Sequence, residues 1–100
     1  MTESTDDLQQ AINEGHDAER LLESDTYKKA VRRTQDRLMI EWAQTLPHDE
    51  AQRERLYYQM RALQNVDETL LMTANAGAQA EGVLARLTAA VKRGISRAIS

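Results

Sequence analysis

A chain of 100 residues with 41% apolar side chains but only 4% aromatic, and no phenylalanine, has the makings of a thin core. The absence of cysteine excludes a disulfide scaffold and a thiolate metal site. The net charge of −3 lies far from the strongly basic balance of a typical nucleic-acid-binding domain.

The large apolar set is 11 Leu, 4 Ile, 4 Val and 4 Met, with Trp42 and three Tyr, while 14 Ala favour helix but bury little. A chain of this size buries only about two-thirds of its unfolded surface even when compact. A homo-oligomer or a permanent partner is therefore expected. The charge is unevenly laid out. Residues 1–25 hold eight acids against Arg20, a balance of −7 that leaves +4 for the other 75 residues. The acidic, polar start Met1-Thr2-Glu3-Ser4-Thr5-Asp6-Asp7 is unlike a secretory signal. No apolar run approaches the roughly 20 residues that span a bilayer. Synthesis and residence in a cytoplasm, without a transmembrane segment, is the expectation.

In chain order, a first helix is expected over about 6–23. Ser4 or Thr5 can cap it, and Asp6 and Asp7 suit the positive end of the helix dipole. Leu8, Ala11, Ile12, Gly15, Ala18, Leu21 and Leu22 form one stripe. Gly15 costs about 1 kcal/mol against alanine in a helix interior, which marks a close helix crossing or a bend. Ser24-Asp25 reads as a break whose residues cap a second helix over about 26–45. Tyr27, Ala30, Val31, Thr34, Leu38, Glu41, Trp42 and Thr45 give that helix a heptad-like seam, imperfect at Thr34 and Glu41.

Pro47, the single proline, biases Leu46 away from helix and sets a chain reversal. Asp49 with Gln52 reads as a capping box for a third helix over about 50–76. Its stripe is Leu56, Met60, Leu63, Val66, Leu70, Thr73 and Ala74. Gly77 is the candidate terminator, since glycine is preferred just past a helix end, although the surrounding alanines would also support continuation. A fourth helix is expected over about 78–98, with Leu84, Leu87, Val91 and Ile95 on one side and Arg86, Lys92, Arg93 and Arg97 on the other. The fold class is all-α: an antiparallel helical hairpin flanked by an acidic N-terminal and a basic C-terminal amphipathic helix, in one domain.

No constellation carries catalysis. His16 and His48 lack a partner at ligand spacing, so both read as surface or loop residues and no metal is implied. Paired carboxylates such as Glu19 and Glu23 need a cleft with unequal environments, which a helical hairpin does not supply. The four glycines are too scattered to cradle a phosphate, and no cofactor is implied. An enzyme is not expected.

Binding is better represented. Lys28, Lys29, Arg32, Arg33 and Arg37 form a basic run suited to a phosphate backbone, although the acidic arm just upstream can neutralise it. The cationic amphipathic tail suits either a lipid interface or docking on protein, and docking on protein is the favoured reading. Trp42 and the pair Tyr57-Tyr58 flank the turn and read as a core plug, with one tyrosine turned outward as an anchor.

The spacing Ala18-x-x-Leu21-Leu22, Trp42-x-x-Thr45-x-Pro47 and Arg53-Glu54-x-Leu56-Tyr57 resembles small helical-hairpin proteins of tailed bacteriophages and prophages, over residues 15–76. The resemblance implies a virion or morphogenesis component that acts by assembly, made in the host cytoplasm and then carried in the virion. It brings no catalytic residue. The expected protein contacts are Trp42, Tyr57, Leu63 and Leu70 in the hairpin, and Leu84, Leu87, Val91 and Ile95 on the C-terminal face. The rival readings are a nucleic-acid-associated packaging or regulatory factor and a membrane-active ejection or inhibitor protein.

Overall fold

The structure, a computed structural model, describes residues 4–99, with side-chain surroundings through residue 97. Three helices account for nearly all of it: α1 over Thr5–Glu23, α2 over Asp25–Ala43 and α3 over Glu50–Ile99. There is no strand among the described residues.

The starts of the helices follow their capping chemistry. The Ser4 hydroxyl oxygen accepts the Asp7 amide at 3.1 Å, and that of Ser24 accepts the Tyr27 amide at 3.3 Å. The Asp49 carboxylate accepts the Gln52 amide at 3.2 Å. Each satisfies an amide that the first turn of a helix leaves without a partner. Ser24 alone separates α1 from α2, with an extended backbone at φ −65° and ψ 124°. The second helix stops at Ala43, two residues short of the expected Thr45. Pro47 lies only two residues beyond Thr45, so the chain is already turning there, and the Thr45 amide and hydroxyl both donate back to the Trp42 carbonyl, the hydroxyl at 2.7 Å. The turn closes with the Asp49 amide on the Leu46 carbonyl at 2.9 Å.

The expected break at Gly77 is absent. What was read as two helices, 50–76 and 78–98, is one helix of 50 residues. A glycine that ends a helix usually takes a left-handed conformation, and no described glycine has a positive φ.

The contacts divide the chain into two compact units, with boundaries inside α1 and α3. The first comprises residues 1–19 and 72–100. Here Gly15 faces Gly77 so closely that a Cβ added to Gly15 would lie 2.7 Å from the Gly77 Cα and 3.3 Å from the Thr73 carbonyl oxygen. The reciprocal Cβ on Gly77 would lie 2.9 Å from the Ala11 carbonyl oxygen. Two glycines thus bring backbones together where any side chain would hold them apart. On one side of this crossing Leu8 and Ile12 pack with Ala80, joined by the half-buried Ala11, Val83 and Leu84. Ala18 and Ala74 are buried as well. Small residues at 11, 15, 18, 74, 77 and 80 are what let α1 sit so close to α3.

The second unit comprises residues 20–71. Leu38 and Leu56 are its buried apolar side chains, 4% and 1% exposed. Val31, Thr34, Met60, Leu63 and Leu70 lie half-buried along the same stripes. Contacts between α2 and α3 pair Tyr27 with Asp67 and Trp42 with Arg53, in opposite chain order.

The glycines yield opposite expectations. Gly15→Ala and Gly77→Ala overpack a backbone contact, a cost of about 1–3 kcal/mol, which outweighs the helix-propensity gain of up to about 1 kcal/mol. Gly82 and Gly94 have nothing within 4 Å of an added Cβ. Alanine there adds only the propensity gain. Thermal melts followed by circular dichroism should fall for the first pair and rise for the second. A common sign at all four positions contradicts the crossing.

Candidate interaction surface

The chemistry-bearing side chains are spread over α2 and α3 rather than gathered in a cleft. Trp42 is half-buried near the end of α2, and the Arg53 guanidinium lies over its ring at 4.3 Å from the centroid. Arg53 also donates to the Thr45 hydroxyl at 3.0 Å. One side chain therefore ties the start of α3 to both the indole and the turn. A cation over an indole contributes about 0.5–1 kcal/mol at an exposed site and more as water is removed.

Tyr57 and Tyr58 do not form the expected plug. They touch edge to face, with centroids 5.7 Å apart, and both rings are more than half exposed. The reason is geometric. Leu56 takes the inward position, so its two successors turn away by about 100° and 200°. Leu63 and Leu70 are half-buried, leaving part of each accessible. In the first unit Leu84 is half-buried against the Leu8–Ile12 cluster, whereas Leu87, Val91 and Ile95 are 49%, 62% and 54% exposed.

Lys28, Lys29, Arg32, Arg33 and Arg37 are all exposed on α2. Lys28 and Arg32 border an open hollow of about 420 Å³ that Leu22, Tyr27, Val31 and Leu71 line with apolar surface. At its floor the Tyr27 hydroxyl donates to the Asp67 carboxylate. That bond holds the phenol in its protonated form. With added contributions from burial and from the negative charge of Asp67, it pushes the Tyr27 pKa up to about 12. Sequence patterning assigned Tyr27 to the apolar seam and read Asp67 only as a surface carboxylate paired with Glu68. The available signal was an acid at a stripe position between Leu63 and Leu70.

A second hollow, about 330 Å³, lies between Met39 and Met60-Leu63, with Gln35, Asp36 and Gln64 at its rim. His16 pairs with Glu81 on the surface of the first unit, and His48 is exposed in the turn. No group of three His, Asp or Glu side chains among the described residues is arranged to hold a metal ion. No described helix is long and apolar enough to cross a membrane.

No family model matches the chain, and neither the curated proteins nor the solved structures contain a match.

The Tyr27–Asp67 bond has a pH signature. The native phenol ionises above its unfolded counterpart, so the contact's contribution to stability is complete below about pH 10 and is lost as pH rises toward 12. An absorbance titration of phenolate should show one component near pH 12 in the native chain. Tyr27→Phe should abolish that component, and Asp67→Asn should move it downward. A late component that survives Tyr27→Phe contradicts the assignment.

Proposed function

We propose that this chain is a non-enzymatic assembly or adaptor protein that works by packing against other polypeptides, copies of itself first. The observation that carries this reading is an imbalance of apolar side chains. Among the described residues, four larger than alanine are buried in the core (Leu8, Ile12, Leu38 and Leu56), whereas twelve large apolar side chains are exposed. Isolated exposed apolar residues are ordinary, but a surplus of this size favours association.

In this reading α2 and the first half of α3 form an antiparallel hairpin, flanked by the acidic α1 and the basic end of α3. The hairpin offers Tyr57 and Leu71 on one flank of α3, about 40° apart around the helix axis. Both are more than half exposed, and Leu71 borders the hollow beside Lys28 and Arg32. Trp42, Leu63 and Leu70 are half-buried and leave part of their surface for contact. The resemblance over residues 15–76 extends the proposal to a tailed-phage virion or morphogenesis component, synthesised in the host cytoplasm.

Light scattering across a concentration series tests the assembly reading. The wild-type chain is expected to show the mass of two or more copies. Tyr57→Glu combined with Leu71→Glu should weaken association at least about tenfold, equivalent to about 1.4 kcal/mol, with helix content unchanged. A wild-type monomer at every concentration contradicts the proposal.

The exposure of all five cations of the Lys28–Arg37 run supports a second reading, contact with nucleic acid. Titration with duplex DNA at about 50 mM and about 200 mM salt should then show steeply salt-dependent affinity. Equal weak signals at both concentrations remove that reading.

A further inference from the structure

The apolar stripe of α3 outlasts its partner. In the first unit α1 and α3 run in opposite directions, with Gly15 facing Gly77 and Leu8 packed beside Leu84. That register brings Thr5, where α1 begins, level with Leu87. The third helix continues a further twelve residues to Ile99, about 18 Å at 1.5 Å per residue. Leu84, Leu87, Val91 and Ile95 continue the line of Gly77 and Ala80 along the same helix face. Exposure climbs along it, from half-buried Leu84 to 62% at Val91 and 54% at Ile95.

The segment's own charge has one sign, although Asp6 and Asp7 at the start of α1 lie level with its base and Glu81 shares a hollow with Lys92. Residues 82–100 contain Arg86, Lys92, Arg93 and Arg97 and no acid. At 100° per residue, Lys92 lies about 100° to one side of the stripe's centre, and Arg97, Arg86 and Arg93 about 120–160° to the other. Between the two groups of cations the back of the helix carries small residues, Gly82, Ala85, Ala89 and Ser96. Long basic side chains thus flank an aliphatic strip on both edges, positioned to reach upward while the strip is immersed.

We infer that this C-terminal segment of α3 is a docking surface for an anionic lipid bilayer, lying in the interface with Leu87, Val91 and Ile95 toward the acyl chains and the four cations among the headgroups. The occupant must supply negative charge on both sides of an apolar bed, and an anionic bilayer does so along the whole segment. A second copy of the chain fits less well on two counts. Two such segments side by side oppose four cations to four cations. The acidic α1 of another copy could neutralise them, but its own apolar face, Leu8 and Ile12, is already covered. The acids of α1, among them Asp6, Asp7, Glu14 and Asp17, disfavour contact of that helix with an anionic surface. The helix lies on the membrane without crossing it.

The test is co-sedimentation of the full chain with vesicles of phosphatidylglycerol and phosphatidylcholine, compared with phosphatidylcholine alone. At about 1 kcal/mol for each basic residue near the surface, the affinity should be at least roughly tenfold higher on the anionic vesicles and should drop on raising salt. Val91→Asn with Ile95→Asn, both exposed positions that the fold does not use, should abolish binding, as should Lys92→Glu with Arg93→Glu. Light scattering of the same variants separates this proposal from the assembly reading. Lost vesicle binding with unchanged mass supports the lipid surface, whereas lost mass assigns the face to a protein partner and overturns it. Equal binding to both vesicle types, no binding to either, or binding indifferent to the variants also overturns it.

Discussion

The close approach of Gly15 to Gly77 is the contact on which the architecture of the first unit depends. A Cβ on either glycine would lie under 3 Å from the opposing backbone. The helices are therefore held at a separation that only paired glycines permit. That separation brings the short side chains of Ala11, Ala18, Ala74 and Ala80 within packing distance. In a unit whose buried large side chains are Leu8 and Ile12, alanine contacts are a substantial part of the core. The crossing also settles the fate of α3. Gly77 remains in helical conformation, and the helix passes through it without interruption.

The second unit is held by different means. Its apolar contribution centres on Leu38 and Leu56, supplemented by two polar attachments that lie 40 and 11 residues apart in sequence. One is the Tyr27–Asp67 bond, and the other is the Arg53 guanidinium between Trp42 and Thr45. Both use side chains whose stems or rings cover apolar surface while their polar ends make directional bonds. Such attachments fix the register of α2 against α3 where a heptad seam interrupted by Thr34 and Glu41 specifies it weakly. They add little apolar burial. Tyr57 and Leu71 stay more than half exposed, and this is the surface that the proposed assembly would cover.

Much of the fold was legible in local chemistry. Ser4, Ser24 and Asp49 announce helix starts because a side-chain acceptor three residues ahead of an amide has a defined role at any helix N-terminus. Pro47 announces the turn through its own geometry. Gly15 was legible as a crossing because a glycine within a strong apolar stripe calls for a packing reason. Gly77 was not, because a glycine between alanines has the same local signature whether it ends a helix or admits another one. Only the opposing residue distinguishes the two, and that residue lies 62 positions away in sequence. The tyrosine pair failed for a related reason: periodicity gives relative directions around a helix, and Leu56 had the stronger claim to the inward position. The partner of Asp67 was missed because an acid beside Glu68 reads as one of a carboxylate pair until its phenol partner is in place. The interaction faces were legible as patterns, while their occupants are a matter of what surrounds the chain.

The central claim is that Gly77 joins two halves of one helix by serving as a contact surface rather than as a terminator. Amide hydrogen exchange across residues 70–84 tests it most directly. The account predicts continuous protection through Ala76, Gly77 and Ala78, comparable to that of Ala74 and Ala80 on either side. Rapid exchange confined to residues 76–79, between two protected segments, would show a helix end at Gly77 and contradict it.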